Sequence, residues 1–396
     1  MLNYFTDFLQ LQDVQYMLLF TVVLIVPKLL LRFRVPVALT ALALGMVTSL
    51  GLGWFQGDQL LLLLSRLGIT SLFLFAGMEV DTEVLKENAS ALSKHVLKAT
   101  GVVFVASIIL YYTLGLNYRP ALVLALGLMT PSTGFILSTL KAQAFKEQEE
   151  YWIRSKAIAK EIVALFLLFV VLQSDSIEQL LTSTAVIMAM ILILPAIFRF
   201  FLKRIAPYAP DSEVAFLVLI ALVCGVITKK IGAYYLVGAF IVGMTAGRFA
   251  HFVDDDNKGN SSNTLASLAS FFTIFIPFYF YKAGLGFSRE LFMYEGFQLG
   301  MIFLLVFVPI RVLSVFSTMH FFLKEFWEDR MAIAMNLLPT LIFGLVIAEI
   351  LNEEFQAPPN VVSGLVIYTI VTSIIPAVLY RKQGRKLGTT NPLEGA

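Results

Sequence analysis

Charge is scarce in this sequence. Of its 396 residues only 14% are charged and 58% are hydrophobic, whereas a soluble domain carries about 25% charged residues. That shortage excludes a water-soluble globule, a nucleic-acid binder and a disordered regulator. Cysteine is nearly absent. Cys224 stands alone, which excludes a disulfide framework and any cysteine-built metal cluster. Histidine occurs three times, at His95, His251 and His320, with no spacing that would pair two of them on a metal. No glycine-rich phosphate loop, nucleophile triad or zinc spacing occurs, so nothing points to an enzyme or to a cofactor. Long polar stretches are missing too, which leaves no room for a soluble catalytic or nucleotide-binding domain.

What the chain does contain is apolar runs of membrane-spanning length. Mean hydropathy is +0.83, and a spanning helix needs roughly 20 apolar residues. Thirteen such stretches are read, at about 15–31, 36–54, 59–79, 96–116, 119–140, 153–173, 180–202, 213–229, 232–248, 266–285, 296–321, 331–350 and 360–380. The fold class expected is an all-α polytopic membrane protein. Residues 1–13 lack a basic region and carry Asp7 and Asp13, so the first run reads as a span rather than a signal peptide. The longest loop, 249–265, contains Asp254, Asp255 and Asp256. Without an EF-hand spacing around them it reads as a solvated linker.

Basic residues alternate between the two sides. Twenty-one of the 29 fall on one side, among them Lys28, Arg32, Lys98, Arg154, Lys156, Arg204, Arg330 and Arg381. Five fall on the other, at Arg66, Arg119, Lys229, Lys230 and Arg289. By the positive-inside rule the N-terminus lies outside and the C-terminus in the cytoplasm. That assignment requires an odd number of spans.

The chain also repeats itself. Phe73-Leu-Phe-Ala-Gly77 in the third span resembles Phe280-Tyr-Lys-Ala-Gly284 in the tenth, and Pro131 in the fifth matches Pro339 in the twelfth. Both offsets place a span on the one seven positions later, so the second copy is inserted upside down. Inverted repeats with paired broken helices characterise secondary transporters. Repeat one would cover about 15–173, a connector helix about 180–202, and repeat two about 213–380, within a single transmembrane transporter domain over 1–396. Residues 381–396 would form a short cytoplasmic tail. Proline inside a helix removes a backbone bond. Thr130, Ser132 and Thr133 around Pro131, and Asn336 and Thr340 around Pro339, can satisfy the freed groups or present them to an ion.

Charges deep in a span are costly, by roughly 2.5–3.5 kcal/mol on insertion scales. Glu161 is the acidic residue well inside a span, roughly 12 Å from its cytoplasmic end at 1.5 Å per residue. Lys160 precedes it, and Arg311 in the eleventh span sits at a similar depth, placed to pair with Glu161 across helices. Glu161 is therefore read as the group that alternately binds a proton and a monovalent cation, with Lys160 and Arg311 beside it. A structural ion pair is the competing reading. Glu79, Asp81, Lys282 and Glu349 lie near span ends, where such side chains reach the interface.

These residues resemble the monovalent cation:proton antiporter superfamily, in particular Kef-type and NapA-like sodium or potassium/proton antiporters. Phe73 to Asp81 followed by Leu85 is similar to that family's "FLAGLELD…L" pattern. Leu236 to Met244 is similar to "LGAFLAGL", and Pro339 to Glu349 to "PRGEFALVIA". The resemblance implies a 13-span fold with a dimer domain and a mobile core, and a homodimer working by an elevator-like motion. It also implies a bacterial-type inner membrane and a carboxylate in the sixth span at the ion site. This chain departs from the pattern at three places. Lys160-Glu161 stands where the family has Asp preceded by Asp, Asn or Gln, and Thr340 and Ile342 replace the Arg and Glu of "PRGE".

The function expected is a secondary antiporter that exchanges Na+ or K+ for protons, with the lipid bilayer and a second copy as partners. The alternative is a non-transporting or channel-like regulatory subunit on the same scaffold, motivated by two bases beside one acid.

Overall fold

The computed structural model describes residues 11–33, 35–80, 89–140, 145, 147–174, 176–209, 212–254, 274–287, 294–322, 324 and 327–379. Among these there is no strand; every regular element is helical. In chain order they are α1 Gln12–Leu31, α2 Val37–Gly51, α3 Gln59–Met78, α4 Ala89–Leu114, α5 Tyr118–Met129, α6 Thr133–Leu140, α7 Glu147–Gln173 and α8 Ile177–Phe200. There follow α9 Glu213–Lys230, α10 Tyr235–Asp254, α11 Ile274–Leu285, α12 Tyr294–Phe322, α13 Arg330–Asn336, α14 Leu341–Glu353 and α15 Pro359–Leu379. The described part of each apolar stretch read from the sequence falls largely on one of these helices or on a broken pair. Among the described residues six helices are long and apolar enough to cross a membrane by themselves, and α13 with α14 forms a pair bent by 41°. Asp81 and the 255–265 part of the polar loop lie outside the described residues.

Internal packing divides the chain into two compact units. One comprises residues 1–71 and 265–289, and the other residues 72–264 and 290–396. In the first, Leu19 and Val23 of α1, Leu61 and Leu64 of α3, and Phe278 and Tyr281 of α11 form a buried apolar cluster. Asp58 caps α3 by accepting from the Leu61 N–H at 2.7 Å, the role of an N-cap carboxylate. It also accepts from the Tyr16 hydroxyl.

Glycine lets pairs of helices approach to backbone contact. A Cβ at Gly45 of α2 would lie 2.0 Å from the Tyr281 carbonyl and 3.1 Å from the Cα of Gly284. In the second unit, a Cβ at Gly243 of α10 would lie 2.1 Å from the Leu74 carbonyl and 3.0 Å from the Cα of Gly77. Close approach at small residues is how helices associate where no hydrophobic force acts between them. Gly77 and Gly284 belong to the repeated Phe73–Gly77 and Phe280–Gly284 segments, and Gly243 to the Leu236–Met244 pattern.

In the second unit α9 runs against α10, and α12 runs along α15. Ile136, Ile153, Ala157, Val315, Ile333 and Leu337 gather α6, α7, α12 and α13 around one apolar cluster. α7 is fixed at both ends. Arg154 pairs with Glu79 at 3.1 Å and with Glu150 at 3.0 Å near its start. Arg119 donates to the Val171 carbonyl at 2.9 Å near its end, satisfying an acceptor that a helix C-terminus leaves open.

Gly243→Val should abolish the folded state or destabilise it by more than the about 1–3 kcal/mol usual for overpacking, because backbone rather than a flexible side chain fills the space. Gly101→Ala, with nothing within 4 Å of its added Cβ, should be neutral or stabilising. Thermal unfolding of the two purified variants checks both outcomes.

Candidate functional site

The two proline-containing stretches form breaks, and the breaks meet. α5 stops at Met129 and α6 starts at Thr133; α13 stops at Asn336 and α14 starts at Leu341. Ser132 stitches them together. Its N–H donates to the Pro339 carbonyl at 2.8 Å, and its hydroxyl accepts from the Ile342 N–H at 3.3 Å. Ser132, Thr133 and Thr340 are fully buried, so these exchanges satisfy backbone groups that water does not reach.

Four helix ends are thereby brought into the interior, and each end carries partial charge. The C-termini of α5 and α13 expose carbonyl oxygens, and the N-termini of α6 and α14 expose N–H groups. Arg311 of α12 serves the two C-termini. Its Nη1 donates to the Leu128 carbonyl at 3.3 Å and to the Tyr368 hydroxyl at 3.2 Å. Its Nη2 donates to the Leu337 carbonyl at 2.6 Å. The Tyr368 hydroxyl in turn donates to the Leu128 carbonyl at 2.8 Å. Glu161 serves an N-terminus: its Oε2 accepts from the Thr133 N–H at 3.2 Å. Cation at helix C-termini and anion at a helix N-terminus is the favourable sense of each contact.

This arrangement corrects one expectation. Arg311 is turned to carbonyls of both broken helices and not to Glu161; among the described residues no ion pair joins the two. Glu161 is 2% exposed and Arg311 3%. Lys160, one residue and about 100° round the helix from Glu161, borders a cavity with Thr130. Lys156, which the charge alternation counted with the cytoplasmic flank, is 5% exposed.

The crossover residues divide in their roles. Thr130, Pro131, Ser132 and Thr133 lie in or beside the first break, and the Thr133 hydroxyl is buried with no hydrogen-bond partner. Thr340 meets the hydroxyls of Thr369 and Thr372 of α15 at 3.4 and 3.2 Å. Asn336 turns back on its own helix, donating to the Ala332 carbonyl at 2.9 Å. Glu349, far along α14, accepts from the Tyr234 hydroxyl at 3.0 Å.

Among the described residues no three His, Cys, Asp or Glu side chains are grouped so that they could hold a metal ion. One carboxylate among hydroxyls and carbonyls is a poor match to a divalent ion, which draws on several carboxylates or waters. It suits a single positive charge.

The sequence profile described as "Sodium/hydrogen exchanger, transmembrane" matches residues 17–381. The chain belongs to this sodium/hydrogen exchanger family. Within the family it is similar to the Probable Na(+)/H(+) antiporter 3 of Methanocaldococcus jannaschii, at 24% identity over 379 residues, covering 92% of this chain and 95% of that protein. It is also similar to the Na(+)/H(+)-K(+) antiporter GerN of Bacillus cereus, at 23% identity over 296 residues and 72% of each chain. Its fold is like that of the sodium proton antiporter MjNhaP1 of Methanocaldococcus jannaschii. The TM-score is 0.68 at 15% identity, over 92% of this chain and 95% of that one. The superfamily suggested by the sequence motifs is thereby shown, and the chain is a multi-pass membrane protein of the exchanger family.

Sequence reasoning missed the contribution of α15. Tyr368, Thr369, Thr372 and Ser373 are buried, and three of them touch the breaks directly. The signal was a polar stripe on an apolar helix, two neighbours followed one turn later by two more, which is one helical face.

Arg311→Met should cost about 3–5 kcal/mol, the sum of roughly 1–3 kcal/mol for each buried group that loses a donor: the Leu337 carbonyl loses its guanidinium, the Tyr368 hydroxyl loses its donor, and the Leu128 carbonyl keeps only Tyr368. Tyr368→Phe, which keeps the ring and removes one hydrogen-bonding group, should cost about 1–3 kcal/mol. Denaturation of each variant in detergent should rank them in that order. Equal losses would contradict the bridging role of the guanidinium.

Proposed function

We propose that this exchanger-family protein is a secondary antiporter that swaps a monovalent cation, Na+ or K+, for protons at Glu161. The observation that carries the reading is the position of Glu161. It is a buried carboxylate with no cationic partner among the described residues, aimed at the N-terminus of a half-helix where two broken helices meet. Two opposing influences act on its ionised form. Burial disfavours the charge, while the Thr133 N–H and the helix end favour it. A carboxylate held between these influences can give up a proton when a cation arrives to replace it. Either guest neutralises the group, but the two cannot occupy it together, and that exclusion couples their movements. Thr130, Ser132 and Thr133 stand beside it as oxygen donors. Lys160 and Arg311 supply fixed positive charge, Arg311 by holding the broken ends in place.

The thirteen-span, inverted-repeat architecture belongs to the same proposal. A relation that sends the third span to the tenth and the second to the ninth also sends the Gly77–Gly243 contact to Gly284–Gly45. Both contacts occur, which supports it. Spans 1–6 and 8–13 are then the repeats, with α8 as connector. The protein is taken to be a homodimer through spans 1, 2, 8 and 9 in a bacterial-type inner membrane, N-terminus outside. The surplus of bases around Glu161 favours the second reading, a non-transporting or channel-like regulatory subunit.

Reconstituted liposomes separate the two. The wild type should dissipate an imposed pH gradient only when Na+ or K+ is added. Glu161→Gln, which keeps the size but not the titration, should stay folded and lose at least 100-fold in rate, or about 2.7 kcal/mol on the scale of tenfold per 1.36. A wild-type rate in Glu161→Gln sinks the carrier assignment, and passive conductance in the wild type supports the second reading. Tags at the N-terminus and in 352–358 should be reachable from outside, and tags at 254–260 only from the cytoplasm. Cytoplasmic access to the N-terminus would overturn the odd span count.

A further inference from the structure

The cavity beside Lys160 shares Lys160 and Thr130 with the surroundings of Glu161, but the Glu161 carboxylate does not line it. It lies among α4, α5, α7 and α12 and measures about 20 Å3, room for one water-sized guest. Its wall is mostly apolar, with four polar residues on it: Thr100, Thr130, Lys160 and Ser314. Among the described residues none of these four side chains makes a hydrogen bond or an ion pair. The ammonium brings N–H donors and no acceptor, and each hydroxyl brings an O–H. Four unengaged donors thus border a space of one guest.

The surroundings are positive. Lys98 of α4 donates to Ser317 of α12 at 2.8 Å, one turn from Ser314. Lys156 precedes Lys160 by one turn of α7 and is buried with no hydrogen bond or ion pair among the described residues. Lys98 and Arg311 both lie within electrostatic reach of Lys160, and Lys98 and Lys160 within reach of Lys156. Glu161, next in sequence, turns its carboxylate to Thr133. Buried cations without a counter-charge are unstable in a medium of low dielectric. A cation guest is disfavoured by the ammonium in the wall, and a water-sized space suits a small monovalent anion better than phosphate or sulfate.

We propose that this cavity is a binding site for a small monovalent anion of chloride size, held by the Lys160 ammonium and the hydroxyls of Thr100, Thr130 and Ser314. The anion offsets the positive surplus of α4, α7 and α12, so that an incoming cation meets a less repulsive field at Glu161. The site concerns an ion that the antiport reading does not include, and its occupancy is measurable without transport.

The test uses the purified full-length protein in detergent, at constant Na+, with chloride titrated against gluconate. The readouts are binding of radiolabelled chloride and the thermal unfolding temperature. The wild type should bind chloride saturably and unfold at a higher temperature with it, bromide should substitute, and sulfate should not. Ser314→Ala and Thr100→Val should each weaken chloride binding about tenfold. Lys160→Met should abolish it and Lys160→Arg should retain it. Should Lys160→Met fail to fold, the two hydroxyl variants decide. Identical unfolding curves in chloride and gluconate, with no saturable chloride binding by the wild type, would overturn the site and leave water as its occupant. Chloride binding by a protein that exchanges no cations would sink the antiport reading alone. Exchange without chloride binding would sink this inference alone.

Discussion

The grip of one guanidinium on two helix ends is the contact on which the rest of the second unit depends. Breaking a helix inside a membrane strands carbonyls and N–H groups where no water can meet them. Two breaks at the same place strand twice as many. Arg311 takes a carbonyl from each broken helix, and Tyr368 shares one of them. Ser132 ties the remaining strands of the crossover to each other. Without Arg311 the two C-termini would face each other with like partial charge. With it, the breaks become a fixed piece of structure, and the N-terminus of α6 is left pointing at Glu161.

The charges of the site are thus divided by task. Arg311 holds structure, with both terminal nitrogens engaged. Glu161 is engaged by Thr133, which leaves the rest of its acceptor capacity open. A carboxylate clamped by an arginine would be a stable ion pair and a poor carrier. Diverting the arginine to backbone carbonyls keeps the positive charge in the neighbourhood, yet leaves the carboxylate free to change partners. The opposing ends of α7 are anchored by Arg119 and Arg154, so the helix that carries Glu161 is held at both termini while its midpoint faces the breaks.

Much of this was legible in the sequence, for physical reasons. Apolar runs announce helices, and a lone acid in the middle of one announces itself by its cost. Proline alone did not mark the breaks. Pro27, Pro195, Pro309 and Pro376 all lie inside continuous helices. Pro131 and Pro339 differ in standing at matching positions of the two repeated segments, with small polar residues beside each, and that match singled them out. The partner of Arg311 was not legible, because backbone carbonyls have no signature in sequence and charge matching pointed to Glu161 instead. Nor was α15, whose Tyr368, Thr369 and Thr372 look like scattered polar residues until the helix turns them to one face. Lys156 read as a cytoplasmic flank because the positive-inside rule counts charge by position and not by burial.

The central claim is that proton and cation compete for one carboxylate at the crossover. Proton release on cation binding tests it most directly, measured with a pH-sensitive dye on the purified protein in weakly buffered detergent solution. The account predicts that adding Na+ or K+ to the proton-loaded wild type releases protons in a saturable manner, and that Glu161→Gln, folded and of wild-type stability, releases none. Saturable cation binding with no proton release by the wild type, or equal release by Glu161→Gln, would contradict it.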